Sequence, residues 1–234
     1  YNRLVSPNRE ENGRFGHNVY ITDKYLAISA INESVAASGE SSLASAGAVY
    51  MYELNERNEW KFKQKLTHSD RFQYDYFGDE VIISGDDLFI SSQNKHIGDK
   101  KMAGAVYYFE KQSDGYWIEK QKIISPDRAH RDLFGYSVDV QDDILLVSGD
   151  WRDPSGAGYV FIKSECGIWV YQTKVTAFGE LAGPHSKDAF GCWLAMSESY
   201  MLFGAIYDDN APGKEDLYES GSAFIFEYDG FDTI

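Results

Sequence analysis

The sequence predicts an all-β fold built from four copies of one unit, and three observations carry this. Phe-Gly recurs at Phe15-Gly16, Phe77-Gly78, Phe134-Gly135 and Phe190-Gly191, with spacings of 62, 57 and 56 residues. Each copy is followed by an alternating strand, a tight turn, a second apolar strand, a variable loop and then Gly-x-x-Tyr or Gly-x-x-Phe opening a third strand. Three of the four units end on a Trp-bearing fourth strand, at Trp60, Trp117 and Trp169. Four strands in a period of this length are the pattern of a β-propeller blade, so the fold class is a β-propeller of four four-stranded blades. The repeats start near Phe15, Phe77, Phe134 and Phe190 and follow one another without a linker, so residues 1–234 read as one domain.

The elements justify themselves in order. Inner strands read Val19-Tyr20-Ile21, Val81-Ile82-Ile83, Val138-Asp139-Val140 and Leu194-Ala195-Met196. Their outer residues are apolar and the middle one varies, so the outer ones are expected to pack between adjacent blades. Second strands follow at Tyr25–Ala30, Asp87–Ser92, Ile144–Gly149 and Met201–Ala205. Third strands begin at Gly47, Gly104, Gly158 and Gly221, where glycine permits a bulge or a close backbone approach. Fourth strands keep a fixed distance from Trp60 to Leu66, Trp117 to Ile123 and Trp169 to Val175.

The N-terminal run Arg3-Leu4-Val5-Ser6-Pro7-Asn8-Arg9 matches Lys122-Ile123-Ile124-Ser125-Pro126-Asp127-Arg128. It therefore reads as the tail of a fourth strand, and residues 1–7 are expected to complete the last blade, with Leu4-Val5 beside Phe224-Ile225-Phe226. Joining the two ends keeps the register of the other fourth strands. A closed four-blade ring fits this, and so does part of a larger ring or an assembly of chains.

Composition narrows the function classes. Apolar residues at 43% and aromatics at 15% supply a core, and a net charge of −15 repels nucleic acid and anionic lipid. No run of apolar residues is long enough for a membrane-spanning helix, so no membrane insertion is expected. With neither a signal peptide nor an initiating Met, the chain reads as a processed protein or a segment of a longer one. Cys166 falls in a strand 3–4 turn and Cys192 at the opposite end of an inner strand, so the two are expected to remain unbonded.

The repeated residues resemble the FG-GAP repeats of integrin α-subunit propellers, and more closely those of secreted microbial proteins. The match rests on Asp75-Tyr-Phe-Gly78, Asp132-Leu-Phe-Gly135, Asp188-Ala-Phe-Gly191, Gly85-Asp86, Gly204-Ala205, Gln64-Lys65-Leu66 and Gln121-Lys122-Ile123. Gly13 stands where the first Asp belongs, and the last repeat has no Trp. The resemblance implies an extracellular or cell-surface location and a role in adhesion or binding. In integrins, calcium sits in long acidic loops between strands 1 and 2. The matching turns here, Thr22-Asp23-Lys24, Ser84–Asp87, Gln141–Asp143 and Ser197–Ser199, are too short to wrap that cation.

The Asp two residues before each Phe reads as structural, accepting backbone N–H bonds at a turn. The long loops instead gather on one end of the blades, together with His17, His68, His96, His130 and His185. Long loops on a rigid scaffold are where binding resides. The candidate ligand-binding residues are Tyr74, Tyr76, His130, Trp151, His185 and Tyr207. Carboxylates on the same loops read as solvated, and Asp208 and Asp209 are the densest oxygen cluster for a divalent cation, without diagnostic spacing. No cofactor is expected. No hydrolase, zinc or phosphate-loop motif occurs, so the chain is read as no enzyme, with Asp139 a lone acid on an inner strand. Asn32-Glu33-Ser34 is a glycosylation sequon compatible with secretion. The function expected is a non-catalytic extracellular binding module for a protein or glycan ligand. The alternatives are a carbohydrate-binding lectin and a structural subunit of an oligomer or larger assembly.

Overall fold

The computed structural model describes residues 3–39, 42–149, 156–177, 188–208 and 220–228. Among these the chain is all-β, with no helix and fifteen strands. They form four antiparallel sheets in sequence order: β1-β2-β3-β4, β5-β6-β7-β8, β9-β10-β11-β12 and β13-β14-β15. Sheet one comprises β1 (Phe15–Ile21), β2 (Tyr25–Ala30), β3 (Ala48–Leu54) and β4 (Trp60–Leu66). Sheet two comprises β5 (Val81–Ser84), β6 (Asp87–Ser92), β7 (Ala105–Lys111) and β8 (Trp117–Ile123). Sheet three is β9 (Val138–Gln141), β10 (Ile144–Gly149), β11 (Ala157–Lys163) and β12 (Trp169–Val175). Sheet four is β13 (Phe190–Met196), β14 (Tyr200–Ala205) and β15 (Ser222–Glu227).

The strands divide into two compact units, one of residues 1–95 and 106–122, the other of residues 96–105 and 123–234. In the first unit, Ile28, Ala30, Ala48, Tyr50 and Tyr52 form one apolar cluster on sheet one. In the second, Leu146 and Val160 of sheet three pack with Phe190, Met201, Phe203 and Ala205 of sheet four. The alternation seen in the sequence thus delivers one apolar row to each side of a sheet.

Phe-Gly and the glycine that opens β3 turn out to be two halves of one joint. Gly47 makes a parallel bridge with Phe77 of the next copy, Gly104 with Phe134, and Gly156 with Phe190, which corrects the expected opening at Gly158: β11 starts at Ala157, as β3 and β7 start one residue after Gly47 and Gly104. At Gly47 a Cβ would lie 2.2 Å from the carbonyl oxygen of Phe77, and φ is +85°, so only glycine fits. The residue before each Phe (Arg14, Tyr76, Leu133 and Ala189) is left-handed, with φ between 52° and 54°. That kink lets the Phe leave its loop and drop into the core. The four Phe rings begin the inner-strand region, and Phe77, Phe134 and Phe190 are buried there.

Two expectations need correction. Residues 3–9, read as the tail of a fourth strand, form no strand, and Leu4 packs against the Ile28–Tyr50 cluster of sheet one. Sheet four has three strands among the described residues. Val19 and Ile21, expected between blades, are exposed, while Val81 and Ile83 are buried as expected. No sheet covers that side of β1 among the described residues. Both cysteines are free, Cys166 exposed and Cys192 buried.

Candidate functional site

The motif Asp does what its position at a turn suggests. Asp75 accepts the Phe72 N–H at 2.7 Å, and Asp132 accepts the Ala129 N–H. Both carboxylates are buried, as are Asp188 and Asp208, so the expectation of solvated acidic loops fails at these four positions. A carboxylate that gathers loop N–H groups gains more inside the loop than in water.

A second arrangement, which repeats through the chain, was not read from the sequence. In each of three copies a third-strand tyrosine (on β3, β7 or β11) and a fourth-strand lysine (on β4, β8 or β12) converge on one carboxylate from a loop. Tyr50 donates to Glu33 at 2.9 Å, and Lys65 reaches the other oxygen at 3.0 Å. Tyr107 donates to Asp70 at 2.6 Å, joined by Lys122 at 2.9 Å. Tyr159 donates to Asp127 at 2.8 Å, joined by Lys174 at 2.8 Å. The electrostatics follow. Burial alone would raise Asp70, but hydrogen bonds from His68, Tyr107 and Lys122 hold it far below the usual carboxylate range. Burial also opposes ionisation of Asp127, yet Lys174, Ser125 and Tyr159 bring it down to about 2. The Tyr107 hydroxyl is pushed up, first by burial and then by its bond to Asp70.

The copy around Asp70 is the most elaborate. His68 is buried, not displayed on a loop as expected. Its Nδ1 lies 3.0 Å from Asp70, and its Nε2 lies 3.3 Å from Asp75. The ring stacks on Tyr107 with centroids 4.5 Å apart. Lys95, also buried, bonds to Asp75 at 2.8 Å. Charges and donors consume one another here, so the cluster fixes the loop between β4 and β5 and presents no nucleophile.

That loop carries the exposed aromatic group. Phe72 and Tyr74 are exposed and Tyr76 is half-buried, with the two tyrosine rings 6.5 Å apart. Their backbone is tied down: Tyr74 N–H donates to Ala44 O and Tyr76 N–H to Ser45 O. His130 is exposed, and its Nδ1 accepts the Lys101 N–H at 3.1 Å, so it braces a neighbouring loop. Tyr207 is exposed, with its N–H on Asp188 O. Tyr74 and Tyr76 are therefore brought together in the first unit, while His130 and Tyr207 belong to the second. Trp151, His185 and Asp209 lie outside the described residues.

Of the two candidate cation ligands, Asp208 lies among the described residues. Asp208 is buried, and its carbonyl accepts Gly221 N–H and Ser220 Oγ–H, which makes it part of a turn. No group of His, Cys, Asp or Glu among the described residues has metal-site geometry. Asp139 accepts the Val140 and Met196 N–H groups, so it links β9 to β13. At the sequon, the Asn32 amide oxygen is buried and the Glu33 carboxylate is engaged with Tyr50 and Lys65.

One perturbed acid stands apart. The Asp79 side chain is only 9% exposed, with His17 Nε2 at 3.9 Å. Burial pushes its carboxyl up to about 7, against a weaker lowering by Gln93. His17 is lowered by burial and by Arg14.

The sequence pattern of the FG-GAP repeat matches residues 60–109, 117–161 and 169–226. The chain belongs to the FG-GAP repeat family. Each match opens on a Trp-bearing fourth strand and closes in the third strand of the next sheet, so each carries the Phe half of one Gly–Phe joint, and the first two also carry the Gly half of the next. No curated protein matches the sequence. Among solved structures, the chain is similar to a "putative hydrolase" from Bacteroides ovatus, at 13% identity and a TM-score of 0.36. That match covers 91% of this chain, which spans 60% of the other.

Proposed function

We propose that this FG-GAP chain is a non-catalytic, extracellular binding module of propeller-like build, whose loops hold a protein or glycan ligand. One observation carries the reading: Phe72, Tyr74 and Tyr76 stand on a loop pinned from below by the buried His68, Asp75 and Lys95, joined by the exposed Asp70. Aromatic rings held in advance lose little freedom on contact, which is the economical way to build a binding surface. The clasps support the non-catalytic part, since their acids and bases are already paired with one another. Family membership supports adhesion as the role and a cell-surface or secreted location. A lectin is the second reading, favoured by the exposed Phe72 and Tyr74 rings, whose faces suit stacking on sugars.

The test is direct. The purified chain is applied to a glycan array and to immobilised extracellular-matrix proteins, beside the double variant Phe72→Ala, Tyr74→Ala. Binding should fall at least about tenfold with the melting temperature nearly unchanged, because exposed loop residues contribute little to the core. Equal binding by variant and wild type would refute this surface.

A further inference from the structure

The first copy keeps the loop of the repeat but not its polar filling. In the second copy His68, Asp70, Asp75 and Lys95 bind one another in the loop ahead of Phe77. Their repeat positions in the first copy hold Ser6, Asn8, Gly13 and Glu33. The imidazole is thus replaced by a hydroxyl, one carboxylate by a neutral amide, and the motif carboxylate by nothing. Glu33 is already taken by Tyr50 and Lys65. The loop backbone nevertheless keeps its form. Asn12 and Arg14 are left-handed, with φ of 60° and 54°, as are Tyr74 and Tyr76 at 64° and 53°, and Arg131 and Leu133 at 65° and 52°. The turn that folds around a carboxylate in two other copies is present here without one.

What remains is a cavity of about 260 Å³ within the first unit, bordered by Arg3, Asn8, Arg9, Glu10, Gly13 and Arg14. None of the three arginines forms an ion pair among the described residues. The Glu10 carboxylate accepts the Ser34 N–H at 2.8 Å. The Glu10 N–H holds the repeat position of the Phe72 and Ala129 N–H groups, which Asp75 and Asp132 accept, and it makes no hydrogen bond among the described residues. In a chain of net charge −15, this is a local excess of positive charge around a vacated carboxylate position. Arginine is the side chain best shaped to hold a carboxylate, by two parallel N–H bonds.

We propose that this cavity binds a uronic acid, a sugar whose carboxylate takes the place of the missing motif Asp. Size and lining select the sugar. The volume equals that of about nine water molecules in the liquid, room for a carboxylate with a six-membered ring behind it. An acidic side chain of a protein ligand would fill only part of that space. The Asn8 amide and the Glu10 carboxylate suit ring hydroxyls, which both donate and accept. Neither Phe72 nor Tyr74 borders the cavity, so the site is separate from the exposed aromatic surface, and its failure would leave that surface standing.

Isothermal titration of the whole chain with sodium glucuronate at constant ionic strength reads the outcome. Saturable binding is expected, with a Kd of about 0.1–10 mM for a single sugar residue. Glucose, which lacks the carboxylate, should bind at least about tenfold more weakly. Gly13→Asp returns the repeat carboxylate to its cradle and should remove glucuronate binding with the melting temperature held or raised. A Cβ there comes no nearer than 3.3 Å to its surroundings, at the Glu10 carbonyl oxygen, so the fold can take it with a small shift. Arg9→Gln and Arg14→Gln stand at exposed positions and should each weaken binding about tenfold with circular dichroism unchanged, which keeps the test decisive should Gly13→Asp not fold. Absence of saturable heat up to about 50 mM glucuronate overturns the proposal. So does equal binding of glucose, full binding by Gly13→Asp, or binding that neither arginine substitution affects. Preference for N-acetylaspartate amide over glucuronate overturns the sugar as the occupant.

Discussion

Asp79 offers a test of burial against charge, and the structure fixes its sign. Its folded value of about 7 lies above the ordinary carboxylate value of 3.8 because the side chain is withdrawn from water. The folded state therefore binds the Asp79 proton more tightly than the unfolded chain does. Below about pH 4 both states are protonated and Asp79 costs nothing. As pH rises towards 7, the unfolded chain ionises freely while the folded chain resists, so stability falls across that window. The span from 3.8 to about 7 corresponds to a ceiling of about 4 kcal/mol above pH 7, and relaxation of the site brings the expected figure to about 1–3 kcal/mol. Asp79→Asn removes the titration and keeps an oxygen for the Gln93 N–H that now reaches Asp79 at 3.4 Å. His17, lowered by burial and Arg14, is mostly neutral at pH 7 and gives the ionised form little help. Urea unfolding at pH 4.5, 6 and 8 compares the two proteins, with the Asp79 carboxyl followed in parallel by NMR. The variant should match or trail the wild type at pH 4.5 and exceed it at pH 8. An unchanged difference at all three values, or a carboxyl titrating near 4, would refute the reasoning.

Three further outcomes follow from the same geometry. Asp70 and Asp127 act in the opposite sense to Asp79: their depressed values stabilise the fold above about pH 4, and this is lost on acidification towards pH 2, measurable as acid unfolding by fluorescence. Tyr107→Phe deletes one donor to Asp70 and should cost about 1–2 kcal/mol in urea unfolding while moving the acid midpoint upward. Gly47→Ala should cost about 3 kcal/mol or more, or prevent folding, because its Cβ meets Phe77 backbone at 2.2 Å. Gly39→Ala, with a similar φ of +77° and open space around it, should cost only about 1 kcal/mol in the same assay.

The strands were legible because their signal is local. Alternation in Val81-Ile82-Ile83 and the fixed distance from Trp117 to Ile123 need no tertiary information, and β5 and β8 lie where these patterns put them. The motif Asp was legible for the same reason, since Asp75 acts within its own turn. The clasps were not legible, because Tyr107 and Asp70 are 37 residues apart and meet only when β7 and a loop pack together. A signal did exist: Tyr50, Tyr107 and Tyr159 share one repeat position, as do Lys65, Lys122 and Lys174. Aligning polar residues by repeat, as was done for Phe-Gly, would have exposed it. His68 misled for a related reason. Its loop position suggested display, but two carboxylates and the Tyr107 ring draw it inside.

The fourth copy shows how the clasp and the core substitute for one another. Phe224 on β15 takes the position of the third-strand tyrosine, and Ala177 stands where His68 and Ser125 stand in the earlier copies. A polar network missing one member would leave buried charge unpaired, so losing it as a set is less costly than losing it piecemeal. In its place Phe190 stacks on Phe203 at 4.8 Å and meets Phe224 edge-on at 5.2 Å, while Phe203 meets Phe226 at 5.2 Å. Apolar packing carries no directional demand on the loops above it. The clasps do: Asp70 and Asp127 tie the loops that bear Tyr74 and His130 to the third and fourth strands beneath them. Stability is thus obtainable by either route, but only the polar route also sets where a loop sits. Its retention in three copies keeps those loops fixed over the strands beneath them.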